Sequence, residues 1–372
     1  MKIDKVELSN IRLPNMVEER SFNGRPYVYY GENNLFPQEL IFFSDKSVTH
    51  AACLELIKTS IGGEGFTTTP EATSFLESQD FEVSNTTLLE KISSSMAIFN
   101  GYALEVIWNK KGDKIAKINL LPFENIRCGI PDRYGKVISY FYNQDWDKNS
   151  TLYEEIMAFD PLKSKEFPKQ LLYMSFNNPN SLCYPIPKYV SSINYIACEY
   201  ELGKHHLSSA VNSFLPSAMI TFIGNPTDDE RLMNKRMFER TFVGAEATSK
   251  VILNYVDSLE QKAIIDQFSA NGVVDQYINT SIECRNNIIT SNGILSPALL
   301  AIADGNQSIF SNGEELKTVW DIFYRTKIRS YQILIEKGMN IVLKYSGFPG
   351  SNYKITPYSP VTIESQQNNI PQ

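Results

Sequence analysis

The residues of this chain that can do chemistry are few, and their spacing works against them. Its three histidines are His50, inside a helix-patterned segment, and the adjacent pair His205-His206. Neighbours on a helix point about 100° apart, so the pair cannot close one metal site as an i,i+4 pair can. Cys53, Cys128, Cys183, Cys198 and Cys284 are odd in number and scattered, with no CxxC. That pattern predicts free thiols in a reducing compartment, not a disulfide framework or zinc site. Gly62-Gly-Glu-Gly65 lacks the preceding strand and following helix of a dinucleotide fingerprint and reads as a turn. There is no G-x-x-x-x-G-K-[ST] loop and no G-x-S-x-G elbow. Asp228-Asp229-Glu230 has the charge to attract a cation, but as a helix first turn it reads as complement to the helix dipole. The expectation is a protein that is not an enzyme, with no cofactor and no metal.

The elements matter more than any reactive group. A chain of 372 residues makes one to three domains. Its net charge of −7 argues against a surface that holds DNA or anionic membrane by bulk attraction. The start, MKIDKVELSN, has no apolar signal core, and no uncharged run reaches membrane-spanning length. A soluble, intracellularly made protein is expected.

The central stretch is Lys188–Phe214, fenced by Tyr184-Pro-Ile-Pro187 and Leu215-Pro216. Tyr189, Ile193, Ile196, Tyr200, Leu207, Val211 and Phe214 form one apolar stripe, with Gly203 on it where a neighbouring backbone can come close. Helices are also predicted over 47–61, 86–99, 227–243, 273–291 and 314–345. The second long helix, 273–291, is expected to put Val274, Ile278, Ile282 and Ile289 inside. Strands are expected at 26–30, 102–108, 114–121, 137–142, 170–176, 218–223 and 250–255, with 143–170 as loop and a strand-like stretch over 351–363. The class is α+β.

Three features together resemble the portal proteins of tailed bacteriophages, in the form found with Bacteroidetes-type hosts. The first is Tyr30-Gly-Glu-Asn-Asn-Leu-Phe-Pro-Gln-Glu-Leu40, then Ser47, His50 and Ile61-Gly-Gly-Glu-Gly-Phe66. The second is Tyr184-Pro-Ile-Pro187, the long helix, and Asn212-Ser-Phe-Leu-Pro-Ser217, similar to a helix leading to an NG-x-x-P-S-G turn. The third is Gly293-Ile-Leu-Ser-Pro-Ala-Leu-Leu300, a polar loop and an amphipathic helix, similar to the family's P-P-x-L-L segment, its loop and the helix behind it. The chain departs in having Asn212-Ser213 for Asn-Gly. It also ends soon after residue 363, so a large C-terminal crown is expected to be absent or minimal.

The resemblance implies a portal-type protomer: a wing over 1–183, a stem helix over 184–214, a small α/β clip over 215–262 and a second stem region over 263–302. A tunnel loop comes next over 303–313, then a long wing or crown-side helix over 314–347 and a C-terminal strand and tail over 348–372. It implies a ring, a dodecamer at the capsid vertex of the virion, that passes double-stranded DNA during packaging and ejection. Partners would be other copies, terminase, the head–tail connector or adaptor and the major capsid protein, with no membrane. Asp304, Asn306, Gln307 and Ser308 would face the channel. The clip charges Asp228, Asp229, Glu230, Arg231, Lys235 and Arg236 would meet partners. The alternatives are another virion structural protein, such as an adaptor or minor capsid protein, or a soluble enzyme with an unrecognised site.

Overall fold

The computed structural model describes residues 13–16, 18, 24–79, 87–147, 151–181, 183–212, 218–224, 226–233, 236, 251–256, 273–302 and 313–358. Contacts divide the chain into a larger unit, Met1–Ala197 with Asn286–Gln372, and a smaller one, Cys198–Arg285.

The larger unit begins with helices whose ends are written in their caps. Pro37 sits in the first turn of α1 (Phe36–Ser44), and the Ser47 hydroxyl accepts from the His50 N–H to start α2 (Val48–Gly62). A short strand, β1 (Phe66–Thr67), and α3 (Pro70–Glu77) come after it. α4 (Leu88–Phe99) opens on a reciprocal capping box between Thr87 and Glu90, and closes on Asn100 at φ 61°.

Then come the strands β2 (Gly101–Trp108), β3 (Ile115–Leu121), β4 (Ile126–Cys128), β5 (Ser139–Tyr142), β6 (Glu154–Ala158) and β7 (Lys169–Ser175). They form one sheet in the order β3-β2-β7-β6-β5-β4, antiparallel except for the β6–β7 pair. β6 corrects the expected 143–170 loop: Ile156 is buried while Glu154 and Glu155 are exposed, a half-buried strand too short and acidic to stand out. Pro26–Tyr30 contributes only an isolated bridge, Tyr27 to Gly129, and not a strand. Its aromatics pack instead. Tyr30 stacks on Tyr184 at 3.9 Å, and their hydroxyls donate to Pro185 O at 2.7 Å and Val28 O at 2.5 Å.

Beside that stack Arg127 is wholly buried. Its guanidinium donates to Asn34 Oδ1 at 2.6 Å and to the main-chain oxygens of Asn34, Glu124 and Ile126. This explains the Asn33-Asn34 pair: Asn34 takes φ 65° and its amide oxygen also receives the Tyr30 N–H. Burial pulls the Arg127 pKa down to about 10, against the raising effect of the surrounding tyrosines and Cys128.

The chain continues with a 3₁₀ stretch, Lys188–Ser192, and α5 (Ile193–Asn212). The expected single helix from Lys188 is therefore a tighter first turn and then an α-helix, and Phe214 lies outside the described residues. Tyr189, Ile193 and Ile196 are buried as expected. β8 (Ala218–Ile223) and β9 (Val251–Val256) come next, then α6 (Val273–Ser291). The expected 314–345 helix is interrupted: α7 (Gly313–Phe323), one π-helical turn (Tyr324–Ile328) and α8 (Arg329–Ser346). β10 (Lys354–Ile355) is the described part of the expected terminal strand, and it pairs antiparallel with β1. α8 crosses the sheet with Gly338 against Tyr102, and Tyr345 meets the Trp108 ring at 5.9 Å.

Candidate functional site

The smaller unit is the candidate site. Its α5 and α6 segments meet through His205 and Tyr277, whose rings stack at 4.9 Å, with the Tyr277 hydroxyl 3.4 Å from His205 Nε2. Cys284 is buried beside Cys198 and its thiol pKa is pushed up to about 12, first by burial. All five cysteines are free thiols. His50 is equally far from a ligand role: it is fully buried, its ring tilted 55° against that of Tyr189 at 4.4 Å. Among the described residues no three His, Cys, Asp or Glu side chains converge on a metal position. No described helix is long and apolar enough to cross a membrane.

The smaller unit's two strands pair in parallel, Ala218 opposite Val251 through Ile223 opposite Val256. A parallel pair needs a crossover rather than a tight turn. Part of that crossover is a helical turn over 228–233, opened by a second capping box in which Thr227 N–H donates to Glu230 at 2.8 Å. Asp228, Asp229 and Glu230 therefore occupy a helix first turn, as their order predicted. Arg231 lies 3.8 Å from Asp228. These four and Arg236 are exposed. Lys235 and the loop residues Asp304, Asn306, Gln307 and Ser308 lie outside the described residues.

The expectation about α6 is overturned at two positions and holds at Ile289. Ile278 and Ile282 are 54% and 43% exposed, while Cys284, Ile288 and Ile289 are buried. On α5, Leu207 is 66% exposed, and a Cβ built on Gly203 would meet nothing among the described residues within 4 Å. In the described part of the smaller unit, Leu207 on α5 and Ile278 and Ile282 on α6 are thus uncovered, while Cys284 is buried. Hydropathy alone cannot tell a core stripe from an uncovered one.

No family model matches this chain, and no curated protein does. Solved structures do. A chain in the virion of a native gene transfer agent particle is similar with a TM-score of 0.59 and 13% identity, over 90% of this chain and 86% of that one. A chain in the neck of the native gene transfer agent particle, computed with C12 symmetry, is similar with a TM-score of 0.57 and 12% identity, over 86% and 84%. A fainter likeness, TM-score 0.47 and 10% identity over 85% and 95%, is to an HK97-family phage portal protein from Corynebacterium diphtheriae. At such identities the first two likenesses show a shared fold. It is a mixed helix-and-sheet fold.

Proposed function

We propose that this chain is a portal-type virion subunit: it closes a ring at a capsid vertex, through which double-stranded DNA is packaged and ejected. The observation that carries the reading is the fold shared, over about nine-tenths of the chain, with a chain of a gene transfer agent particle. The twelvefold symmetry in the description of one such neck favours a dodecamer. Physical features agree. Leu207, Ile278 and Ile282 leave apolar surface on two long helices that a neighbouring copy would cover. The net charge of −7 suits a conduit, because a cationic lining would release counterions and grip the phosphates. Packaging force would come from a separate motor protein. In this reading 227–236 docks terminase and then the head–tail connector, and 303–313 faces the DNA.

The test is the particle. Negative-stain images of the purified protein are expected to show annuli, and light scattering a mass many times that of one chain. A monomer at micromolar concentration across several salt conditions would overturn the ring.

A further inference from the structure

The larger unit contains a cavity of about 560 Å³ where the 3₁₀ stretch before α5, the end of α6 and the π-turn come together. That volume is in the range of small-molecule sites. We propose that it binds an oxyanion, a carboxylate or phosphate group, carried on an apolar body.

The polar lining is one-sided. Lys188 and Lys327 are its cations, and among the described residues no Asp or Glu lines it. The Lys327 ammonium donates to the main-chain oxygen of Asn292, just past the end of α6. An ammonium has three N–H groups, so two donors remain for a ligand. Much of the amide hydrogen-bonding capacity is already committed within the protein. Asn100 Oδ1 already takes the Tyr331 hydroxyl at 2.8 Å, and Asn178 Oδ1 the Asn180 N–H at 2.9 Å. Asn292 is 1% exposed, and its NH₂ donates to Ile288 O at 2.9 Å, which fixes the amide's orientation. Its Oδ1 has no partner, and it suits a water or hydroxyl accompanying the anion. Ser291, Thr326 and Ser330 add hydroxyls, and Tyr189, Phe176, Ile186 and Leu295 supply apolar wall.

Charge physics points the same way. Lys327 faces Lys188 from the 3₁₀ stretch and Cys53 and His50 from α2. Burial, helped by Lys188 and opposed by Cys53, lowers its pKa to about 8. An anion between the two lysines relieves both burial and repulsion.

Benzoate, ionised throughout the neutral range, is the probe, and inorganic sulfate the comparison, with binding read by equilibrium dialysis on the full chain. Saturable benzoate binding is expected, weakened about tenfold or more in Lys327→Gln. Lys188→Gln, at an exposed position, should weaken it without risk to the fold. Wild-type affinity is expected to fall as the pH rises through Lys327's value of about 8, and Lys327→Arg to abolish that dependence. Absence of saturable binding, a flat wild-type pH profile, or unchanged affinity in both Gln variants would overturn the site. Sulfate binding as tightly as benzoate would overturn the role of the apolar walls.

Discussion

His50 shows how burial turns a titratable side chain into a stability term. Desolvation, with the charge of Lys327, lowers its pKa from 6.5 to about 4. The unfolded chain therefore takes up the proton first as pH falls below 6.5, and stability is lost from there down to about 4 and levels off beneath. The loss amounts to about 3 kcal/mol at most. His50→Gln should remove this component, so the gap between the urea midpoints of wild type and variant should change across that window. Parallel midpoints would sink the assignment. Arg127 marks the limit of what single residues disclose in sequence. It is one Arg among ordinary charges, and its acceptors on Asn34 lie 93 positions away, so no local spacing announces it.

Among elements, the crossing of α8 over the sheet is the tightest contact. A Cβ on Gly338 would fall 2.0 Å from the Tyr102 hydroxyl, which donates to Leu334 and Ile335 oxygens. Alanine favours a helix over glycine by about 1 kcal/mol, but overpacking a rigid buried ring costs about 1–3 kcal/mol, so the clash should win. Gly338→Ala is expected to destabilise, and Tyr102→Phe to recover part of the loss in the double variant; an additive double would refute the contact. Helical spacing made α2 and α4 legible: the helices expected over 47–61 and 86–99 form over Val48–Gly62 and Leu88–Phe99, with Thr87 a cap where the expectation had it inside the helix. The buried face of α2 was not legible. Val48 is 81% exposed, whereas Thr49, His50 and Ser60 are buried, because His50 finds Asn292 and Ser60 bonds back to Leu56 O. Polar groups satisfied inside a core look like surface to a hydropathy pattern.

At the scale of the whole molecule the proposed ring would present each charge many times over, and that is what the test exploits. Lys235→Glu with Arg236→Glu should weaken terminase or connector binding and leave the ring intact, since rim charges steer encounter more than they hold it. Asp304→Lys with Gln307→Lys should slow packaging or ejection, most at low salt. Normal binding at low salt would remove the docking role, and full-length packaging at the normal rate the channel role. The resemblance to portal proteins suggested both segments. The chain leaves the larger unit at Ala197 and re-enters at Asn286, while the Ser192 and Ser291 hydroxyls stand 2.6 Å apart. Exit and return are thus adjacent, so the intervening stretch could lengthen or be exchanged over evolution without disturbing the sheet's register. Synthesis imposes a further order. β10, at Lys354–Ile355, must leave the ribosome before it can pair with β1, so every residue of the smaller unit is made before the larger one can close.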